Sequence, residues 1–257
     1  MALPVMLRFT EREARIWVKL WRGWTFSFFV MPLLFLGSMG LGLGSYVDTG
    51  GSTVGGFDYL TFVAPGLLAG GVMQNMSADG LWGVMGGHKW QGHFNAAVAG
   101  PMRPSDLFGG WLVWRAVLGA LTAISFVIAA ALLGGVPSWW GVLAIPSAML
   151  CAVAFSALLS AYSITRDTDG SFPVIMRIVI LPMFVFSGTF FPLSELPAAV
   201  RPVAWATPLW HSVELCRGAT TGTLGLLDGL GHTAYLCGCI AVGWAFGVRG
   251  FTRRLAA

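Results

Sequence analysis

Long apolar runs constrain this chain more than any other feature. Six of them, near 24–45, 60–84, 107–133, 141–163, 174–191 and 229–248, come close to or exceed the ~20 helical residues that cross a hydrocarbon core of about 30 Å. They are continuous and lack the two-residue alternation of an outer-membrane barrel, so helices are expected. With 56% hydrophobic and 10% charged residues, the chain reads as an all-α membrane protein with six transmembrane helices. The basic start precedes an apolar run that is too long for a signal peptide, is flanked by Trp and has no A-x-A site, so it reads as an uncleaved span.

Lysine and arginine give the orientation. Twelve of the fifteen lie in the N-terminal segment, the second loop (Lys89, Arg103), the fourth loop (Arg166, Arg177) and the tail (Arg249, Arg253, Arg254). The loops 46–59 and 134–140 hold none, and 192–228 holds only Arg201 and Arg217. The positive-inside rule then puts both termini in the cytoplasm. Arg8, Arg12, Arg15, Lys19 and Arg22 recur at steps of four and three, a stripe roughly 80° wide on a helix, with Ile16, Trp17, Leu20, Trp21 and Trp24 opposite and Glu13 as the misfit. This predicts an amphipathic helix lying in the cytoplasmic interface. The organisation expected is one transmembrane domain over 1–257: interfacial helix 1–23, spans one to five in 24–191, an extracellular re-entrant segment 192–228, and the sixth span with its tail in 229–257.

Gly40/Gly44, Gly66/Gly70 and Gly83/Gly87 form GxxxG pairs that allow close helix approach and can mark a dimer face. Pro32, Pro146 and Pro182 are expected to kink their spans. Ser105 is a plausible N-cap for the third span and Ser194 for a turn after the fifth. Trp90 to Val98 reads as one short helix.

Chemistry-bearing residues are few. Asp79 near the cytoplasmic end of the second span and Arg115 two turns into the third are placed to pair, as charges in hydrocarbon usually must. His88 and His93 are five apart and share no helical face, and Cys237 and Cys239 point about 200° apart on a helix, so neither makes a metal site. DTDG at 167–170 begins like a calcium loop but lacks the acid at position twelve. No GK dipeptide exists, so no phosphate loop of that class can form, and any ATP must sit on another polypeptide. There is no GxSxG or HExxH. Nothing here recruits nucleic acid. In PLWHSVELCRG, 208–218, His211, Glu214 and Arg217 recur every third residue and share one side of a short helix, with Glu214 in reach of either neighbour. That stripe is expected to face water or an exit path.

FVAPGLL at 62–68, AGPMRPSDLFGGWLVWRA at 99–116, SGTFFPLSELP at 187–197 and TPLWHSVELCRG at 207–218, in this order, resemble the permease subunit of type-2 ABC exporters. The likeness is to the branch exporting nodulation lipooligosaccharides and daunorubicin-type drugs, and it covers nearly the whole chain. It implies a permease, not an enzyme, that moves a lipid, lipid-linked glycan or hydrophobic drug outward. It also implies a second permease copy or paralogue and two copies of a cytoplasmic ATPase that bind the ATP and Mg; no cofactor belongs to this chain. ATPase coupling would fall on Lys89, Trp90, Gln91, His93, Phe94 and Asn95, and contact with the ATPase or lipid headgroups on Arg8, Arg12, Arg15 and Lys19. Short re-entrant outer helices would occupy 193–222. Phe184, Phe186, Phe190, Phe191, His211, Glu214 and Arg217 would line the outer gate. The chain departs from its relatives in reading HKWQGHFNAAV where they often carry an acidic pattern before the coupling region. An ion-coupled carrier or channel, and a metal enzyme built on His211 and Glu214, are the competing readings.

Overall fold

The computed structural model describes residues 4–19, 23, 30, 33–44 and 53–255. Leu20, Trp21, Arg22, Trp24, Pro32 and residues 46–52 of the loop 46–59 lie outside the described residues. So does much of the first apolar run, of which 33–44 is helical.

Every regular element of the described residues is helical. In chain order they are α1 (Val5–Lys19), α2 (33–44), α3 (Tyr59–Ala78, extended by wide π-type turns at Asp79–Gly83 and Gly86–Trp90) and α4 (His93–Val98). Then come α5 (Pro104–Leu132), α6 (Ala144–Ser163, entered through a 3-10 turn at Trp139–Leu143), α7 (Phe172–Phe186), α8 (Arg201–Trp205), α9 (Pro208–Thr221) and α10 (Leu226–Leu255). Three of them, Pro104–Leu132, Trp139–Ser163 and Leu226–Leu255, are long and apolar enough to cross a membrane. α7 is shorter than the run 174–191 suggested: regular helix stops at Phe186, and Ser187 to Phe191 form bends around Gly188, whose φ of 78° only glycine adopts readily.

α3 is the inner helix. It is buried on nearly all sides, so it carries no amphipathic signal, and it packs against α6, α7 and α9. Small residues set the spacing around it and its neighbours. A Cβ at Gly66 would lie 2.7 Å from the Thr189 carbonyl oxygen, and one at Gly70 2.1 Å from the Phe184 ring. Gly83 and Gly87 sit equally close to Trp111 and Phe94. These two GxxxG pairs are therefore occupied by contacts within the chain. α5 approaches α6 at Gly119 against Ala152, and α10 approaches α6 at Gly243 against Ala157.

Pro146 lies in the first turn of α6, where the 3-10 turn Trp139–Leu143 passes into α-helix. Pro182 follows the π-type turn Met176–Ile180, which contains Ile178, the residue whose carbonyl the proline leaves without its helical donor. Pro65 is the proline inside a long helix, α3.

The caps also shift. α5 starts one residue before Ser105, with Pro104 at its first position and Arg103 as the flanking residue. The turn Leu193–Glu195 follows Pro192 rather than a Ser194 cap. Thr207 caps α9, its Oγ1 accepting from the Trp210 N–H at 3.3 Å.

Candidate functional site

Two polar constellations sit at opposite ends of the bundle. At the first, α3 runs out through Gly86–Trp90 and the chain turns at Gly92, in the left-handed conformation with φ 68°, before α4 begins at His93. That glycine splits the single helix expected from Trp90 to Val98. Phe94 is fully buried and holds the loop down. Its ring lies 5.9 Å from Phe9 of α1, 5.6 Å from Trp111 of α5 and 5.9 Å from Phe251 of α10. The first two contacts are edge to face and the third is tilted, and such pairs favour one arrangement of the rings. Phe108 extends the cluster, stacked on Phe251 at 4.8 Å. Lys89, Trp90, Gln91 and Asn95 remain exposed around this anchor, and Asn95 Nδ2 donates to the His88 carbonyl at 3.1 Å.

A charged clamp closes the same end. Asp167 accepts from Lys89 Nζ at 3.2 Å and from the Arg254 guanidinium at 3.0 Å, and Arg254 also donates to the Thr165 carbonyl. One exposed carboxylate thus ties the loop after α3 to the C-terminal turn of α10. Arg254 first, then Lys89, hold its carboxyl below the usual aspartate range. His93 moves the other way from a cation's interest: burial, then the neighbouring Arg12, lower its pKa to about 4. Its Nδ1 is buried without a hydrogen-bond partner among the described residues, which suits a neutral ring.

α1 packs on this cluster with the face opposite its basic stripe, so the apolar side read from the sequence meets protein. Met6, Phe9 and Thr10 meet Gly109 and Gly110, and Thr10 Oγ1 donates to the Gly110 carbonyl at 3.0 Å. Ala14 and Trp17 pack on the main core, while Ile16 is exposed. Glu13 belongs to this inner side: its side chain is mostly covered and pairs with Arg12. Arg8, Arg12, Arg15 and Lys19 stay exposed, with Arg15 paired to Glu11.

Deeper in, Arg115 Nε lies 3.3 Å from Asp79 Oδ2, and the guanidinium carbon sits 3.6 Å from the centre of the Trp111 ring. Trp111 in turn donates from Nε1 to Ser160 Oγ at 3.0 Å. No sequence signal pointed to Trp111 as the hub joining this pair to the Phe94 cluster.

At the other end, α9 presents the triplet seen in the sequence. Glu214 accepts from Arg217 NH1 at 3.0 Å. Arg217 does not face water, however; its side chain is 11% exposed. It lies on the Phe62 ring at 3.9 Å and donates to two backbone carbonyls, Phe62 at 3.3 Å and Gly188 at 2.6 Å. The guanidinium so joins α9, the start of α3 and the bend after α7. His211 faces α10 instead: its Nδ1 is 2.8 Å from His232 Nδ1, and its ring stacks on Tyr235 at 3.8 Å. Ser187 and Thr207 hydroxyls meet at 2.9 Å. Of the four phenylalanines, Phe184 and Phe190 pack edge to face at 5.1 Å, Phe186 is exposed and Phe191 half-buried. Among the described residues, no three of His, Cys, Asp and Glu are grouped to hold a metal ion.

Comparison with known proteins matches the family model described as ABC-2 type transporter to residues 13–220. Nodulation protein J of Rhizobium leguminosarum bv. trifolii is 29% identical over 225 residues, covering 87% of this chain and 84% of its own. Nodulation protein J of Rhizobium meliloti is 29% identical over 212 residues, 82% of this chain and 78% of the relative. That of Azorhizobium caulinodans is 24% identical over 204 residues, 79% of each.

Proposed function

The chain belongs to the ABC-2 type transporter family, and on that premise we propose that it works as half of an exporter for a lipid, lipid-linked glycan or hydrophobic drug. It is a multi-pass membrane permease without catalysis of its own; ATP is hydrolysed on a separate ATPase subunit. Two permease copies and two ATPase copies make the working assembly. Six crossings fit the three long helices together with α3, α7 and the helical stretch 33–44, and α8 and α9 form the re-entrant segment between the fifth and sixth. The end carrying α4 is cytoplasmic, supported by the concentration of Lys and Arg there.

The observation that carries this reading is the loop at 86–98. It is anchored internally by Phe94 yet displays Lys89, Trp90, Gln91 and Asn95 to the outside. A rigid projection of that kind transmits a push from a docked partner into α3, α5 and α10 at once, because all three touch its anchor. Arg8, Arg12, Arg15 and Lys19 flank it for contact with the ATPase or with anionic headgroups. Closure of the ATPase dimer on ATP then draws the two loops together and opens the far end, where the Arg217 junction and Phe190 sit at the gate. The test is co-purification: the ATPase should elute with the wild-type permease and be lost when 88–98 is scrambled. Retained ATPase, or ATP-independent transport by vesicles holding this chain alone, overturns the reading.

A further inference from the structure

At the end of the bundle away from α4, the first turns of α6 and α10 leave a gap that the C-terminal half of α9 backs. The gap is a cavity of about 540 Å³, within the size range of about 300–1,000 Å³ typical of small-ligand sites. Its walls are Leu143, Pro146, Leu150, Leu215, Leu226 and Leu230. Gly218 and Ala219 leave the room. Ser147 and Thr233 are the hydroxyl-bearing residues of the lining, and Ser147 Oγ already donates to the Leu143 carbonyl at 2.8 Å. Among the described residues, no charged side chain lines it.

Two observations say what fills it. Two of its walls belong to Trp139–Ser163 and Leu226–Leu255, helices long and apolar enough to cross the membrane, so the space beside them is bilayer. Trp140 stands at the mouth, with Trp139 97% exposed next to it, the residue type that settles at headgroup depth. A hydrocarbon chain entering below the tryptophans meets apolar surface down to Leu150, while the uncharged lining offers nothing to a phosphate or sugar.

We propose that this groove is a binding site for one acyl chain of an outer-leaflet phospholipid. The leaflet's name rests on the orientation given above; the acyl-chain specificity does not. A seated chain lies against Leu215 and Gly218, flanking Arg217 on α9, so it supports the helix whose other contacts hold the Arg217 junction. Lipid occupancy and the position of α9 are thereby linked.

The experiment uses the full chain in nanodiscs of phosphatidylcholine doped with phosphatidylcholine carrying a diazirine in one acyl chain, followed by photolysis and peptide mapping. Adducts on 140–150 and 215–233 should exceed, several-fold, those on Ile178 and Val179, which are exposed on α7. Thr233→Phe and, independently, Leu230→Trp fill the groove and should cut the 140–150 adducts several-fold while leaving the α7 adducts unchanged. Wild-type labelling no higher than on α7, as expected if a second copy of the chain covers the groove, overturns the proposal; so does undiminished labelling in folded filling variants. A headgroup-borne diazirine that labels the groove as strongly as the acyl probe also overturns it. None of these readouts involves the ATPase, so failure here is distinct from failure of the transport reading.

Discussion

Asp79 Oδ2 lies 3.3 Å from Arg115 Nε, and the two partners are buried unequally: the arginine side chain is 5% exposed, the aspartate 38%. Removing one partner of a buried pair costs about 3–5 kcal/mol when the charge left behind cannot reach water. Asp79→Ala strands Arg115 in that state. Arg115→Met leaves an aspartate that can hydrate, and its thioether keeps contact with Trp111. The expected order in thermal unfolding of the solubilised protein is Asp79→Ala far below Arg115→Met, with the double variant nearer wild type than Asp79→Ala. The reverse order would mean that the pair is held for a reason other than charge compensation.

Arg217 makes three directed donations, to Glu214 and to the Phe62 and Gly188 carbonyls. Lysine keeps the charge but cannot serve three acceptors from a planar fork. Arg217→Lys should therefore impair export nearly as much as Arg217→Met and open the 187–207 segment to limited proteolysis. Glu214→Ala removes one acceptor at a part-exposed position and should be milder, also without effect on ATP binding. Equal proteolytic resistance of Arg217→Lys and wild type counts against the junction.

The Asp167 clamp is exposed, and solvent screens ion pairs of that kind. Its effect should be local. Asp167→Asn is expected to leave the melting temperature within a degree or two while raising hydrogen–deuterium exchange several-fold at 88–92 and 250–255. High salt should reproduce that exchange pattern in wild type. An unchanged exchange pattern would show that the loop is held by Phe94 alone.

His93 gives the α4 end a pH dependence of definite sign. Its folded pKa of about 4 lies below the ordinary 6.5, so the unfolded or opened loop binds the proton more readily. The contribution is complete above about pH 6.5 and is lost progressively as pH falls toward 4. Acidification from pH 7.5 to 5 should loosen the loop, read as a change in Trp90 fluorescence or faster exchange at 93–98. His93→Gln should abolish that response; its survival would assign the titration to another group.

Much of this was legible in the sequence for reasons that also explain what was not. The apolar runs at 107–133, 141–163 and 229–248 exposed their helices because each is long, continuous and only part-buried. The pairing of Asp79 with Arg115 and of Glu214 with Arg217 followed from charge scarcity and from spacing. Hidden from it was everything decided by non-local backbone. Arg217 turns inward because the carbonyls of Phe62 and Gly188 are there to receive it, and neither is visible from α9. Phe94 looked like one more residue in a polar loop, yet its partners come from positions 9, 111 and 251. Glu13 breaks the apolar face of α1, and it is accommodated there because its carboxylate is paired with Arg12.

Of the described glycines, Gly70 leaves the least room for a Cβ, and it sets the last test. Gly70 and Gly71 are neighbours on α3, but a Cβ on Gly70 would lie 2.1 Å from the Phe184 ring and one on Gly71 would meet nothing within 4 Å. Replacing a helical glycine by alanine gains about 1 kcal/mol of helix propensity where there is space, whereas overpacking a closed contact costs about 1–3 kcal/mol. Gly71→Ala should therefore be neutral or stabilising, and Gly70→Ala destabilising with reduced export, since Phe184 and its partner Phe190 must move. Phe184→Leu should restore part of the loss in the Gly70→Ala background by vacating the ring's edge. Gly66→Ala admits no such rescue, because its obstacle is the Thr189 backbone rather than a side chain. If all three glycines tolerate alanine equally, α3 and α7 are not packed as closely as the structure has them.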